Sequence, residues 1–482
     1  MNSSTMNSST MNDSTMNDST HRIDAKASVL SPPAMGCHAL VIGGGMAGLL
    51  AARVLAEYFE QVTIVERDHF PHEPTFRAGV PQSRHLHVLL RRGQMILEQL
   101  FPGLEAELAA AGAPLLDWGQ DPYWLTARGL MPRFPSGITT YACSRHLLEW
   151  LVRRRLVASA SIRFVEGCDV IGLFADTSTA SVAGVRVRYR DSGAVEACHA
   201  QLVVDASGRT SQTPEWLEAL GYARPEETII SAFMGYASRF YQRPPGCVAH
   251  WKNMLVQSRP PESTRGGTLF PVEGDRWIVT VSGAARDYPP TDEVGFLAFV
   301  ESLPSSILYD AIKDAQPLSA IHGYRQTENR LRHYEHLPQW PEGFVVLGDA
   351  VCALNPVYGQ GMTTAAVGAL TLQGCLRHQR RQCPDGMLIG MSRRFQQALA
   401  RVNTVPWHMA TLEDFRFLEY QGGRPSPAAQ RLQRYLNGVR ALAFVDPQAH
   451  LQLLNVMHML KPPRTLAGVL STERVNLKMR GV

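Results

Sequence analysis

The stretch "HALVIGGGMAGLLAARVLAEYFEQVTIVERD", His38 to Asp68, is apolar enough at its start to suggest a membrane segment, yet it holds three consecutive glycines and closes on acids. A bilayer-spanning helix needs about twenty mainly apolar residues with no charge in the middle. Here Gly43, Gly44 and Gly45 interrupt the run, and Arg53 and Glu57 follow soon after. The alternative is a short buried strand (39–42), a glycine turn, a helix (46–58) and a second strand (62–65). That is a βαβ unit with Gly43, Gly45 and Gly48 in the spacing G-x-G-x-x-G. The first glycine of the pattern allows the tight turn, the second admits a diphosphate against the backbone, and the third lets helix and strand pack closely. Met46 and Ala47 open a helix whose free N–H groups and dipole favour phosphate. Glu66 ends the second strand, where a carboxylate accepts hydrogen bonds from both hydroxyls of a ribose. The combination predicts a dinucleotide site; the competing readings are a structural glycine turn and a membrane helix.

At 482 residues the chain is long for one core, so two or three lobes are expected. A net charge of +4 spread over the whole length argues against nucleic-acid binding and against strong attachment to anionic lipid. The 8 cysteines are scattered with no C-x-x-C pair and no metal-ligand spacing, which points to reduced thiols in a cytoplasmic protein and to no metal site. The opening MNSST MNSST MNDST MNDST repeat lacks the basic start and apolar stretch of a secretion signal. It reads as a disordered tail that runs with its linker over 1–34.

Beyond the first unit, "FRAGVPQSRHLHVLLRRGQMILEQLFPGL" (76–104) is loop and then amphipathic helix. "CSRHLLEWLVRRRL" from Cys143 starts a helix capped by Ser144, and its Arg145 stands in a first turn where a positive charge does not help the dipole. Either a ligand or a surface ion pair accounts for that arginine. "VRVRYR" alternates as a half-exposed strand, and "GGTLFPVEGDRWIVTVSG" reads as a hairpin about Glu273-Gly274-Asp275 with Trp277, Val279 and Val281 on one face. This antiparallel region suggests a substrate-covering sheet. From Leu370 onward the chain reads as helices punctuated by prolines 406, 425, 427, 447, 462 and 463. Its three readings are packing, a cover over the pocket, and contact with a membrane surface or protein partner.

A second decisive stretch is "GFVVLGDAVCALNPVYGQGMTTAAVGALTLQGCL" (343–376). A buried strand leads to Asp349, a loop holds Pro356, Gly359 and Gly361, and a helix begins near Met362 and Thr363. Asp349 at a strand end suits a sugar-alcohol hydroxyl, and the glycines let backbone N–H groups approach a ring carbonyl. Between the two lies "LVVDASGRTSQTPEWL", with Asp205 at a strand end before Ala206-Ser207-Gly208-Arg209.

The ordered trio resembles the p-hydroxybenzoate hydroxylase-type flavoprotein monooxygenases over roughly 35–385. "RAGVPQSRHLHVLL", "DASGRTSQTPEWLEALGY" and "FVVLGDAVCALNPVYGQGMT" look most like the bacterial olefin epoxidases of polyether biosynthesis and, more distantly, squalene epoxidase. The resemblance implies an α/β fold: a Rossmann-like, glutathione-reductase-type FAD-binding domain (35–112, 138–227, 318–385), an inserted antiparallel β-sheet substrate domain (113–137, 228–317) and a helical C-terminal region (386–482). It further implies FAD held by Gly43, Gly45, Gly48, Glu66, Arg67, Arg77, Arg145, Asp205 and Asp349, with the flavin ring against Pro356 to Thr363. Aromatic hydroxylases of this class carry Asp-Gly where this chain has Asp205-Ala206-Ser207-Gly208, which counts against a nicotinamide role for Asp205 and against aromatic hydroxylation.

The implied reaction is insertion of one oxygen atom from O2, through a C4a-hydroperoxyflavin, into an alkene of an apolar polyketide or terpenoid in secondary metabolism. The alternatives are an aromatic hydroxylase of the same fold, a geranylgeranyl-reductase-like enzyme that saturates C=C bonds, and a flavin-binding interaction protein without turnover. Related halogenases carry a W-x-W-x-I-P motif; Trp216 and Trp251 lack those surroundings, which disfavours halogenation. Epoxidation needs no base, so no catalytic side chain is nominated; His85, His87 and His322 are base candidates by residue type alone. Only one G-x-G-x-x-G occurs, so electrons come either from NAD(P)H docking transiently or from a flavin reductase partner. No transmembrane segment is expected; peripheral membrane contact stays open.

Overall fold

The computed structural model describes residues 34–176 and 181–470. The tail assigned to 1–34 therefore lies, but for Ala34, outside the described residues. Five parallel strands make one sheet in the order Phe344–Val346, Leu202–Asp205, Gly36–Ile42, Phe59–Val65, Ile162–Val165. Their runs of Val, Ile and Leu are buried on both faces, as a parallel sheet covered by helices requires. The register sets Ile42 beside both Val65 and Asp205, and Asp205 beside Val346. That row is the carboxyl edge of the sheet. Segments leaving it, from Gly43, Glu66, Ala206 and Gly348, therefore emerge side by side, where ligands collect in open parallel sheets.

The first crossover, helix α1 (Met46–Leu55), ends earlier than the 46–58 expected from periodicity. Glu57 and Tyr58 close a turn back onto Val54 and Leu55, and buried Phe59 already pairs with Gly36 in the sheet. Helix α2 (Arg145–Val157) begins as expected, the Ser144 hydroxyl accepting from the Leu147 N–H at 3.3 Å.

The second large sheet has seven strands in the order His322–Tyr324, Gly235–Gln242, Arg276–Gly283, Arg265–Val272, Asn253–Val256, Pro122–Thr126, Gly129–Leu130. The hairpin turns through 273–275, pairing Val272 with Arg276, with Gly274 and Asp275 both at positive φ. Alternation along Arg276–Gly283 then separates two faces. Trp277, Val279 and Val281 join the apolar cluster of Phe296 and Val300. Ile278 belongs to a different cluster, and Thr280 and Ser282 face the cavity described below.

Helix α3 (Gly361–Gln382) packs along α1 and along α4 (Met391–Asp414). Helices α5 (Pro427–Ala443) and α6 (Pro447–Met457) pack through Val439, Leu442 and Leu454 on Trp118, Phe240, Phe270 and Ile278 of the seven-stranded region. The described part of the C-terminal region is therefore packed against the fold. Pro406, read as punctuation, instead lies inside α4: the packed helix tolerates one missing N–H, whereas Pro427 and Pro447 occupy first-turn positions where none is needed. No helix of the described residues is long and apolar enough to cross a membrane.

Candidate active site

A cavity of about 840 Å³ opens along the carboxyl edge of the parallel sheet. Gly43, Gly45, Met46, Ala47, Glu66, Arg67, Arg77, Arg145, Asp349, Pro356, Gly359, Gly361 and Met362 all line it. The three motifs, far apart in sequence, thus share one wall. Within the first of them the glycines differ physically. Gly43 has φ +95°, and a Cβ there would meet the Ala206 carbonyl at 2.8 Å. At Gly48 a Cβ would lie 1.8 Å from the Gly43 carbonyl, so the bare backbone lets α1 sit on the strand. At Gly45 a Cβ would meet nothing within 4 Å, because that position opens on the cavity.

Gly48, Asp205 and Thr363 do not line the cavity. Gly48 faces inward, as its packing role demands. Asp205 is fully buried and spends its carboxylate on its own loop, accepting from the Ser207 N–H at 2.8 Å and from the Ser211 and Thr213 hydroxyls at 2.5 Å each. Thr363 is also fully buried, its Oγ1 accepting from the Leu90 N–H at 3.2 Å. The side chains of Asp205 and Thr363 thus anchor a loop and a helix start.

The charged groups form one chain. Glu66 Oε2 accepts from the Gly44 N–H at 2.7 Å and lies 3.2 Å from Arg77 Nη1. Arg77 also donates to Asp68 at 3.0 Å, to Glu149 at 2.9 Å and to the Gly44 carbonyl at 3.2 Å. Burial alone would lower the pKa of its guanidinium, but Glu149 and Glu66 beside it raise it above the ordinary arginine value. Most of its donors are therefore committed within the protein. Arg145 shares Glu149 at 2.6 Å and, among the described residues, otherwise donates only to the Met362 sulfur at 3.6 Å. It is a buried pair, not a surface one, with donors still to give. Burial lowers its pKa despite Glu149. Asp349 has no hydrogen-bond partner among the described residues; burial pushes its carboxyl up, opposed by Arg209 and Arg145.

The far wall comes from the seven-stranded sheet. Tyr236, Thr268, Thr280, Ser282 and Tyr324 line it, with Leu86, Val88, Leu354 and Val357 nearby. Tyr236 and Tyr324 are brought opposite by antiparallel pairing and stack at 5.3 Å between centroids. Sequence reasoning missed these residues, as well as Arg188 and Trp216, which also line the cavity. The apolar Leu86 and Val88 were a signal for a buried segment, but nothing local marked what it faced.

Of the three histidines, only His87 lines the cavity. Its Nδ1 lies 3.0 Å from the His85 carbonyl, and burial takes its pKa down to about 4. His85 is buried against the Ser238 hydroxyl at 2.9 Å, and burial takes it down to about 3. His322 sits against Arg84 at 3.2 Å.

Residues 36–388, most of the chain, match the protein-family model described as FAD binding domain. The chain belongs to this family. Protein Rv3254 of Mycobacterium tuberculosis (strain ATCC 25618 / H37Rv) is 34% identical over 388 residues, which is 79% of this chain and 80% of that one. Among solved structures, the flavin-dependent brominase Bmp2 is similar with a TM-score of 0.63 and 15% identity, over 88% of this chain and 93% of its own. The chain pqsL, a probable FAD-dependent monooxygenase from Pseudomonas aeruginosa, is similar with a TM-score of 0.57 and 20% identity, over 79% of this chain and 97% of its own. At such identities the likeness is one of fold.

As a member of the FAD-binding-domain family the protein takes FAD, and its residues fit that group. The open approach at Gly45, the N-terminus of α1 beside it, the unspent donors of Arg145 and the unpartnered Asp349 carboxylate supply what an anionic, hydroxyl-rich dinucleotide needs. The cavity volume falls in the range of about 300–1,000 Å³ usual for cofactor sites.

Proposed function

We propose that this FAD-binding-domain protein is a monooxygenase that adds one oxygen atom of O2 to an alkene in an apolar polyketide or terpenoid, giving an epoxide. The supporting observation is the cavity that runs from the glycine turn of the parallel sheet to the Tyr236, Thr280 and Tyr324 wall of the seven-stranded sheet. In this reading the segments 35–112, 138–227 and 318–385 carry the cofactor, 113–137 and 228–317 cover the substrate, and the strand His322–Tyr324 is lent across to the second sheet.

Gly43, Gly45 and the first N–H groups of α1 would hold the diphosphate, Arg145 its charge, and Glu66 the ribose hydroxyls. Asp349 would accept from a ribityl hydroxyl, and the loop from Pro356 to Gly361 with the start of α3 would face the flavin ring. Reduced FAD supplies the activation of O2 and an electrophilic oxygen atom. The chain orients the alkene and excludes water. Leu86, Val88, Leu354 and Met362 provide apolar wall, while Thr268, Thr280 and Ser282 offer hydroxyls to a polar group on an otherwise apolar substrate. No general base is assigned, since alkene oxygenation requires none.

The test is labelled O2 with purified, yellow protein, a candidate alkene, and either NAD(P)H or a flavin reductase as electron source. Product that gains one labelled oxygen supports the reading. Gain of two hydrogens, or halogenation when bromide is added, replaces it with a reductase or halogenase. A protein that binds FAD but never consumes O2 defeats turnover altogether.

A further inference from the structure

The C-terminal helices contribute more than packing. Asp414, the last residue of α4, is fully buried directly against the loop that follows Asn355. Its Oδ1 accepts from the Tyr358 hydroxyl at 2.6 Å and from Asn355 Nδ2 at 3.1 Å, and its Oδ2 accepts from Asn329 Nδ2 at 2.7 Å. The two asparagines are tied together in turn. Asn329 Oδ1 accepts from the Asn355 N–H at 2.7 Å, and Asn355 Oδ1 accepts from the Val357 N–H at 3.2 Å. Asn329 and Asn355 are 0% and 1% exposed, so the bonds that tie them to each other and to Asp414 do not compete with bulk water. The side-chain anchors of the turn Pro356–Tyr358 thus converge on one carboxylate from a helix outside both sheets, with lesser bonds from Asn355 to the Met234 sulfur and from Asn329 to the Ile230 carbonyl.

That turn lines the cavity through Pro356 and Val357, and Gly359 and Gly361 continue the same wall. We infer that Asp414 is a positioning residue: through Asn355 and Tyr358 it fixes the Pro356–Gly361 loop, and so sets the surroundings of the flavin ring without touching the diphosphate end. This inference rests on the reading of that loop as the ring-facing wall. Neighbouring charge agrees with a single, special carboxylate. Glu413 beside it is paired with Arg416 at 2.8 Å and with Arg440, while Asp414 itself faces only neutral donors. Burial lifts its pKa to about 7, against the pull of the Tyr358, Asn355 and Ala232 hydrogen bonds.

The experiment compares wild type, Asp414→Asn and Tyr358→Phe. The isosteric amide keeps the shape but turns at least one N–H2 toward another N–H2, leaving a buried donor without an acceptor. In the FAD-free proteins, hydrogen exchange of amides 357–361 is expected to rise about tenfold in Asp414→Asn, with amides 43–55 unchanged. In the FAD-bound proteins, the flavin absorption bands and reduction potential are expected to move while FAD affinity stays within about threefold. Unchanged exchange in 357–361, or an unchanged flavin spectrum with weakened FAD binding, overturns the inference. Should Asp414→Asn fail to fold, Tyr358→Phe removes one donor and leaves the carboxylate, and the same readouts decide. A wild type that binds no FAD sinks the proposed function, whereas the exchange comparison still tests the anchor.

Discussion

Gly45 and Gly48 stand three residues apart, yet adding one methyl group at each should have opposite consequences. Gly45 has φ −76° and ψ −178°, which any residue adopts, and its missing Cβ would touch nothing within 4 Å. Gly45→Ala should therefore leave the FAD-free protein intact or stabilise it by about 0.4–1 kcal/mol, because alanine has less freedom to lose from the unfolded chain. If a diphosphate rests on this loop, the same methyl becomes an overpacked contact of about 1–3 kcal/mol. FAD should then bind about 5- to 150-fold more weakly. At Gly48 the methyl would sit 1.8 Å from the Gly43 carbonyl, inside the protein. Here α1 must move off the strand, and the loss of about 1–3 kcal/mol or more falls on the FAD-free fold itself. Denaturant unfolding of the FAD-free proteins and FAD titration by flavin fluorescence separate the two quantities. The reasoning is refuted if Gly45→Ala binds FAD within about twofold of wild type, or if it destabilises the FAD-free protein as much as Gly48→Ala does.

Other outcomes follow from the same geometry. Arg77→Met removes the cation shared by Glu66, Asp68 and Glu149, so it should cost about 3–5 kcal/mol of stability in the FAD-free protein. Arg145→Met leaves Glu149 paired with Arg77, so FAD affinity should fall more than the denaturation midpoint does. Asp414 ionises at about 7 in the fold against 3.8 ordinarily, so the folded state holds the extra proton across that window. Its contribution to stability is present below 3.8 and lost as pH rises to about 7; Asp414→Asn should flatten that part of the stability-versus-pH curve, measured by denaturation midpoints. Thr280→Val removes a cavity hydroxyl and its 2.7 Å bond to Ser238. It should raise substrate KM about 2- to 10-fold with FAD affinity unchanged, in steady-state kinetics beside FAD titration.

Much of this was legible in the residues. Glycine spacing, runs of branched residues and strand-end acids are local constraints, and they placed Gly43, Gly45, Glu66 and Asp349 on the wall where the structure has them. Residue type could not separate Arg77, bound up by three carboxylates, from Arg145, which keeps donors in hand. Nor could it tell that Asp205, though equally a strand-end acid, turns its oxygens onto Ser207, Ser211 and Thr213. The stack of Tyr236 on Tyr324 depends on a register between strands far apart in the chain, which no local pattern encodes.

The amino-acid order by itself determined the βαβ unit, the parallel sheet and the dinucleotide-type turn, because a backbone that must pass through positive φ or pack without a Cβ admits little besides glycine. Only the folded chain decided which polar groups spend themselves on one another and which remain for a ligand. Hydrogen bonds and ion pairs are exclusive, and their partners here come from segments that meet only after the sheets have closed. Asp414 shows the division most clearly: in sequence it is one more helix-end acid, and in space it is the carboxylate on which the anchors of a cavity-lining loop converge.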